Sequence, residues 1–262
     1  METIEISIYV LGGLILLALL FDFMNGFHDA ANAIATVVST GVLKPHTAVA
    51  MAAVFNFAAI GVVGLKVASA IGKGIIDAHV VDEYVIFGAL VGAIAWNVIT
   101  WYYGIPSSSS HALVGGLVGA AVAKGGTEVL IADGLLRVVQ FIVIAPLLGF
   151  VLGALIMLIV SWLFVKSHPR KVDSWFRRLQ LVSAASYSLG HGGNDAQKTI
   201  GIIWLLLISS GYASAGDSMP PGWVIAACYI AIGLGTMFGG WRIVQTMGQR
   251  LTKLKPVGGF CA

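Results

Sequence analysis

Two carboxylates sit inside apolar stretches in matched surroundings. Asp29 lies in Gly26-Phe-His-Asp29-Ala-Ala-Asn-Ala-Ile34 and Asp195 in Gly192-Gly-Asn-Asp195-Ala-Gln-Lys-Thr-Ile200. Gly, Asp, Ala and Ile fall at the same positions in both. An ionised carboxylate at the middle of a bilayer costs at least about 2.5–3.5 kcal/mol on insertion scales. Two of them in matched places imply a task, and the chemistry open to them is cation coordination or proton exchange. An Asp ahead of a helical run is also a common N-cap, and one side chain can both cap a half-helix and hold a cation. Short polar side chains lie close by: Asn25, Asn32, Thr36, Asn194, Gln197 and Thr199. His28 and His191 stand near the two carboxylates, where an imidazole either relays protons or is a satisfied interior residue. Lys198 follows Asp195 by about one helical turn. It therefore pairs with Asp195 or attracts an anion.

A second group is Pro106 followed by Ser107, Ser108, Ser109 and Ser110. Proline suits the first position of a helix. A helix start presents free N–H groups and the positive end of its dipole, and hydroxyls beside it suit a tetrahedral oxyanion. A serine run is otherwise a plain polar loop; its place between two apolar segments favours the anion reading. Ser110-His111 does not make a hydrolase, because no Gly-x-Ser-x-Gly elbow surrounds it and no third triad member is evident.

The elements that must position these groups are membrane helices. The chain has 262 residues, of which 58% are apolar and 10% charged, against about 25% charged in a soluble domain. The mean hydropathy is +0.92. A soluble globule needs a polar skin, so a cytoplasmic enzyme, a nucleic-acid binder and a disordered chain are excluded. The net charge of +3 is too weak to imply an anionic macromolecular partner. Cys228 and Cys261 make no disulfide framework.

Apolar stretches of membrane length run over 5–40, 46–72, 84–104, 107–124, 134–165, 179–210 and 222–247. They lack the period-two alternation of a barrel. The first and sixth are too long for one straight span, and each carries a glycine-rich polar interruption, so each is expected to be a broken helix. Basic residues cluster in 166–178 and 242–255, which places both inside the cell. Counting crossings then puts the N-terminus and the acidic 77–83 loop outside, and the two expected broken helices run in opposite directions. The expectation is an all-α polytopic membrane protein of inverted-topology repeats, with broken helices meeting at the midplane. Residues 1–165 would form the first repeat, 166–178 a cytoplasmic basic linker, and 179–262 a second, inverted and incomplete repeat. Four further apolar segments follow 5–40 but only one follows 179–210, so a chain truncated at its C-terminal end is expected. The alternative is a short chain that pairs with itself as a homodimer.

These residues resemble the inorganic phosphate transporter family, often called PiT. The resemblance is carried by Gly26–Ala33, by Pro106-Ser-Ser-Ser-Ser-His111 and by Gly192–Gly201, and it extends over nearly the whole chain. His28 stands where many members have Asn, Lys198 stands where the first repeat has Asn32, and the second Pro-Ser-Ser-His element is absent. The resemblance implies a symporter of inorganic phosphate in the cytoplasmic (inner) membrane, with no cofactor and with the lipid bilayer as its surroundings. Asp29 and Asp195 would handle the coupled cation, a proton or a sodium ion, and would be metal ligands if that cation is sodium or another metal ion. Asn32, Ser108, Ser109, Ser110, Gln197 and Lys198 would cradle phosphate, which some members carry as a metal–phosphate complex.

Coupling also follows from electrostatics. Moving one negative charge into a cell at about −100 mV costs about 2.3 kcal/mol, so an uncoupled carrier would export phosphate. A carrier for another tetrahedral oxyanion such as sulfate, or an anion channel, are the alternatives.

The basic loops generate a topology prediction. Cysteines placed at positions 3 and 217 of a cysteine-free background should react with an impermeant reagent from outside, and those at 172 and 253 only from inside. Labelling of 172 and 217 from the same side would refute the orientation.

Overall fold

The computed structural model describes residues 7–61, 74–214, 219–251 and 254–262. The outer part of the second apolar stretch, 62–72, lies outside them, as do position 3, the loop around Asp217 and Lys253. Among the described residues the regular structure is helical, with one isolated bridge between Ile76 and Leu130. The helices are α1 (Ile8–Ser39), α2 (Pro45–Ala58), α3 (Glu83–Tyr103), α4 (Ser109–Gly125), α5 (Ala132–Leu163), α6 (Pro169–Ser209), α7 (Gly222–Phe238), α8 (Trp241–Gln245) and α9 (Pro256–Cys261).

Local chemistry sets several of the ends. Asp82 caps α3, its carboxylate accepting from the Val85 N–H at 3.0 Å. Gly104 ends α3 in the left-handed region at φ 67°, which only glycine reaches without strain. Pro106 then precedes α4, whose cap Ser108 accepts from the His111 N–H at 3.3 Å. Lys124 at the end of α4 pairs with Asp82, closing α3 and α4 into a hairpin at its base. Burial pushes the Asp82 carboxyl up, but Lys124 and the Val85 N–H outweigh it and hold the group below its ordinary value.

α1, α3 and α5 are each long and apolar enough to cross a bilayer, and α7 together with Trp241–Gly248 is so only as a pair, bent by 55°. α4 has only 17 residues. Its first turn touches Lys198 through Ser110, and Lys198 stands eleven residues, about 16 Å, from the end of α6. The basic segment expected as a linker is helical from Pro169 onward and continuous with α6, with Phe176 buried and Trp175 exposed.

The expected breaks in the first and sixth stretches do not occur. α1 runs unbroken through Asn25–Asp29 and α6 through Gly190–Asp195, over 32 and 41 residues. The glycines admit neighbouring backbones instead of breaking the helix. A Cβ on Gly26 would fall 2.1 Å from the Ile232 carbonyl oxygen in α7, and one on Gly192 would fall 2.6 Å from the Asn56 Cα in α2. The two crossings are reciprocal: Asn56 and Ile232 each follow by eleven residues a proline at the helix entry, Pro45 at the start of α2 and Pro221 just before α7. Gly235 on α7 returns the contact, since a Cβ there would lie 2.0 Å from the Phe23 carbonyl oxygen. The sharp bend lies elsewhere, at Gly239-Gly240 between α7 and α8.

Phe21, Leu90, Ile200, Ile203, Tyr229 and Ile232 are core residues shared by α1, α3, α6 and α7. α5 differs, with Val160 its one buried residue. An apolar helix in lipid needs no protein cover, because acyl chains are as apolar as its side chains.

The unbroken α6 separates two neighbouring glycines. Gly190 has no atom within 4 Å of a built Cβ, so Gly190→Ala should leave stability unchanged or raise it by about 0.5–1 kcal/mol. Gly192→Ala meets the Asn56 backbone and should cost about 1–3 kcal/mol. Thermal unfolding in detergent reads both; equal loss in the two variants would contradict a continuous helix.

Candidate functional site

α1 presents Ala18, Asp22, Asn25 and Asp29 along one buried face. α6 presents Ser188, Gly192, Asp195 and Thr199 in the same way. The helices pack antiparallel, as the pairing of Thr40 with Gln180 and of Asp29 with His191 requires. Asp29 and Asp195, distant in sequence, thus meet across the interface.

His191 lies between them. Its Nε2 is 3.6 Å from Asp29 Oδ2 and 3.3 Å from Asp195 Oδ2. Tyr187, one turn earlier, stacks on its ring at 6.2 Å between centroids. On the other side of Asp29, His28 Nδ1 is 3.1 Å from Oδ1, and its Nε2 reaches Thr100 Oγ1 on α3 at 3.0 Å. Asn25 faces three oxygens, and its amide satisfies them when the nitrogen is on that side: it then donates to Asp29 Oδ2 at 3.0 Å and to Asp195 Oδ2 and Ser109 Oγ at 3.3 Å each. Lys198 binds Asp195 Oδ1 at 2.5 Å and also donates to Ser110 Oγ. A cavity of about 240 Å³ adjoins this pair, walled by Ile75, Val81, Leu90 and Leu113 and reaching Ser110 and Lys198.

The site therefore joins the two expected carboxylates to the first turn of α4. Ser109 is buried against Asn25. Ser110 meets Lys198, while the Ser108 hydroxyl is used as the α4 cap. Gln197 is buried and donates to the Gly193 carbonyl at 2.7 Å. Asn32 is exposed on α1 and joins none of these contacts. Asp29, His191 and Asp195 each offer a ligand atom, all within 4.8 Å of one another. One imidazole and two carboxylates are the kinds of ligand that could hold a divalent ion such as zinc or manganese.

Three residues near this site were not singled out from sequence. Asp22 had a signal, since Asp22, Asn25 and Asp29 share one helical face. Tyr187 had a weaker one, four residues before His191. Thr100 had none, because only the packing of α3 on α1 brings it to His28.

Residues 25–262 match the family described as the phosphate transporter family. The chain belongs to that family. It is 60% identical over 253 residues to a probable low-affinity inorganic phosphate transporter of Rhizobium meliloti, covering 97% of this chain and 75% of that one. A Bacillus subtilis protein of the same description is 47% identical, with 95% and 75% covered. The low-affinity inorganic phosphate transporter PitA of Escherichia coli is 37% identical, over 78% of this chain and 47% of that one. A solved structure titled the sodium-dependent phosphate transporter shares the fold, with a TM-score of 0.83 at 23% identity over 97% of this chain and 81% of that one. This member of the phosphate transporter family is a helical membrane protein and not an enzyme.

Asn25 carries a stability prediction for this family member. Asn25→Leu strips a donor from two buried carboxylates and should cost about 1–3 kcal/mol. Asn25→Asp adds a third negative charge and should cost more at pH 7.5 than at pH 5, because protonation relieves like-charge repulsion. Thermal unfolding at the two pH values reads the difference; no pH dependence beyond wild type would contradict the placement of Asn25.

Proposed function

We propose that this protein is a cation-coupled secondary transporter, a symporter, that carries inorganic phosphate across the cytoplasmic membrane. The charge balance of the buried cluster is the observation that carries this reading. Asp29 and Asp195 bring two negative charges and Lys198 one positive. Two carboxylates thus face one lysine, yet the cluster meets the start of α4 with Ser109 and Ser110. The helix start and Lys198 draw an oxyanion, and the carboxylates repel it until cations neutralise them. Phosphate and cation then favour each other's binding, a reciprocal coupling that symport needs. Phosphate as cargo is supported by the names of the relatives from Rhizobium meliloti, Bacillus subtilis and Escherichia coli.

In this reading Asp29 and Asp195 hold the coupled proton or sodium ion. Ser108 orders the α4 start, and Ser109, Ser110, Gln197 and Lys198 line the phosphate side, with Asn32 on its approach. The reciprocal crossings of Gly26 on Ile232 and of Gly192 on Asn56 support two inverted repeats, in 1–165 and 179–262. The imidazole of His191 between two carboxylates favours a second form of cargo, a divalent metal–phosphate complex.

Asp29→Asn and Asp195→Asn should each abolish cation-driven uptake by the full-length protein while leaving it in the membrane, since an amide keeps the size and removes the charge. Normal cation-dependent uptake by either variant would sink the assignment. In proteoliposomes, labelled phosphate should show counterflow, which a channel does not produce. Sulfate should compete poorly; strong competition would turn the reading toward a general oxyanion carrier.

A further inference from the structure

Asp22 is fully buried, and neither of its carboxyl oxygens has a hydrogen-bond partner. It lies fifteen residues into α1 and caps no helix. The hydroxyls of Thr199 on α6 and Tyr229 on α7 are buried without hydrogen-bond partners as well. Thr199 faces Asp22 without reaching hydrogen-bond geometry, and Asp195 and Lys198 lie within electrostatic reach of it. From α7, Cys228 and Tyr229 are the titratable groups that sense it.

Three considerations narrow its role. A bare carboxylate sealed from water, with no donor and no cation in contact, is among the least favourable arrangements in a protein interior. The neutral acid is not. Stability does not explain the residue, because an apolar side chain of similar size would pack there without any desolvation cost. Its position is also directional. Asp22 precedes Asp29 by about 10 Å along α1, and Thr199 follows Asp195 by about 6 Å along the antiparallel α6. Both are thus displaced to the same side of the Asp29–His191–Asp195 cluster, the side assigned to the outside by the basic loops.

We propose that Asp22 is a proton-carrying carboxyl of the transport cycle, a cation station separate from Asp29 and Asp195. It rests on the symport reading above and names one of the coupled cations. In the loaded state Asp22 holds the proton as a neutral acid. On release, the O–H bond of Asp22 breaks and an O–H bond forms on a water molecule, which carries the proton away as hydronium. Lys198, within electrostatic reach, is the nearest cation to the carboxylate left behind. Atoms and charge are conserved in this step.

The test uses the full-length protein in proteoliposomes at fixed sodium and metal concentration, with labelled inorganic phosphate and an imposed pH gradient. Each coupled proton contributes about tenfold in accumulation per pH unit. For Asp22→Asn the slope of log accumulation against the pH gradient should fall by about one coupled proton, that is by about tenfold per unit. Phosphate exchange at equal pH should persist. Asp22→Glu, which still titrates, should restore the slope. A wild-type slope in Asp22→Asn would overturn the proposal. So would loss of exchange in Asp22→Asn together with loss in Asp22→Glu, which would make the residue structural. Wild-type accumulation that follows a sodium gradient and ignores pH would overturn it too, while leaving symport intact. Absence of phosphate counterflow in the wild type would overturn the symport reading and this proposal with it.

Discussion

Everything in this molecule is arranged around two carboxylates held close together away from water. Unscreened, Asp29 and Asp195 would repel each other strongly, since Coulomb energies grow as the effective dielectric falls. The structure answers with donors and one cation: Asn25 between them, His28 behind Asp29 and Lys198 behind Asp195, with the His191 ring lying close to both carboxylates. These groups come from α1 and α6, and second partners come from α3 through Thr100 and from α4 through Ser109 and Ser110. A change in charge at either carboxylate is therefore felt by four helices.

Bringing those helices together needs close backbone approach. Lipid gives no hydrophobic drive for helix association, so small residues and van der Waals contact do the work. Gly26, Gly192 and Gly235 supply it at the crossings that frame the cluster. Thr236 adds a polar tie, accepting from Asn56 at 2.8 Å and lying 3.3 Å from the Gly26 carbonyl oxygen. The periphery follows different rules. α5 exposes its apolar side chains over nearly its whole length, as a lipid-facing helix can.

The polar groups also form an ordered file. Along α1 the order is Asp22, Asn25, His28 and Asp29, and along the antiparallel α6 it is Thr199, Lys198, Asp195 and His191. Hydrogen bonds or close charge pairs link these groups from Asn25 and Lys198 onward, and Asp22 and Thr199 stand outside those links. A membrane interior offers no solvent to complete such a path, so its members must come from the protein.

The sequence by itself determined the membrane class, the apolar segments and the matched settings of Asp29 and Asp195, and it put Lys198 one turn from Asp195 without choosing between that carboxylate and an anion as its partner. These are local properties: hydropathy, and spacing along a helix that fixes which side chains share a face. The tertiary structure decided the rest. Gly26 and Gly192 read equally well as breaks or as contact points, because glycine permits both, and only the backbones of Ile232 and Asn56 against them select contact. The meeting of Ser110 with Lys198, of His28 with Thr100 and of Asn25 with both carboxylates joins segments far apart in the chain. Such contacts depend on which faces pack together, and no periodicity within a segment encodes that. Asp22 shows the same limit: its place on the polar face is local, but its sealing from water is set by α6 and α7 closing over it.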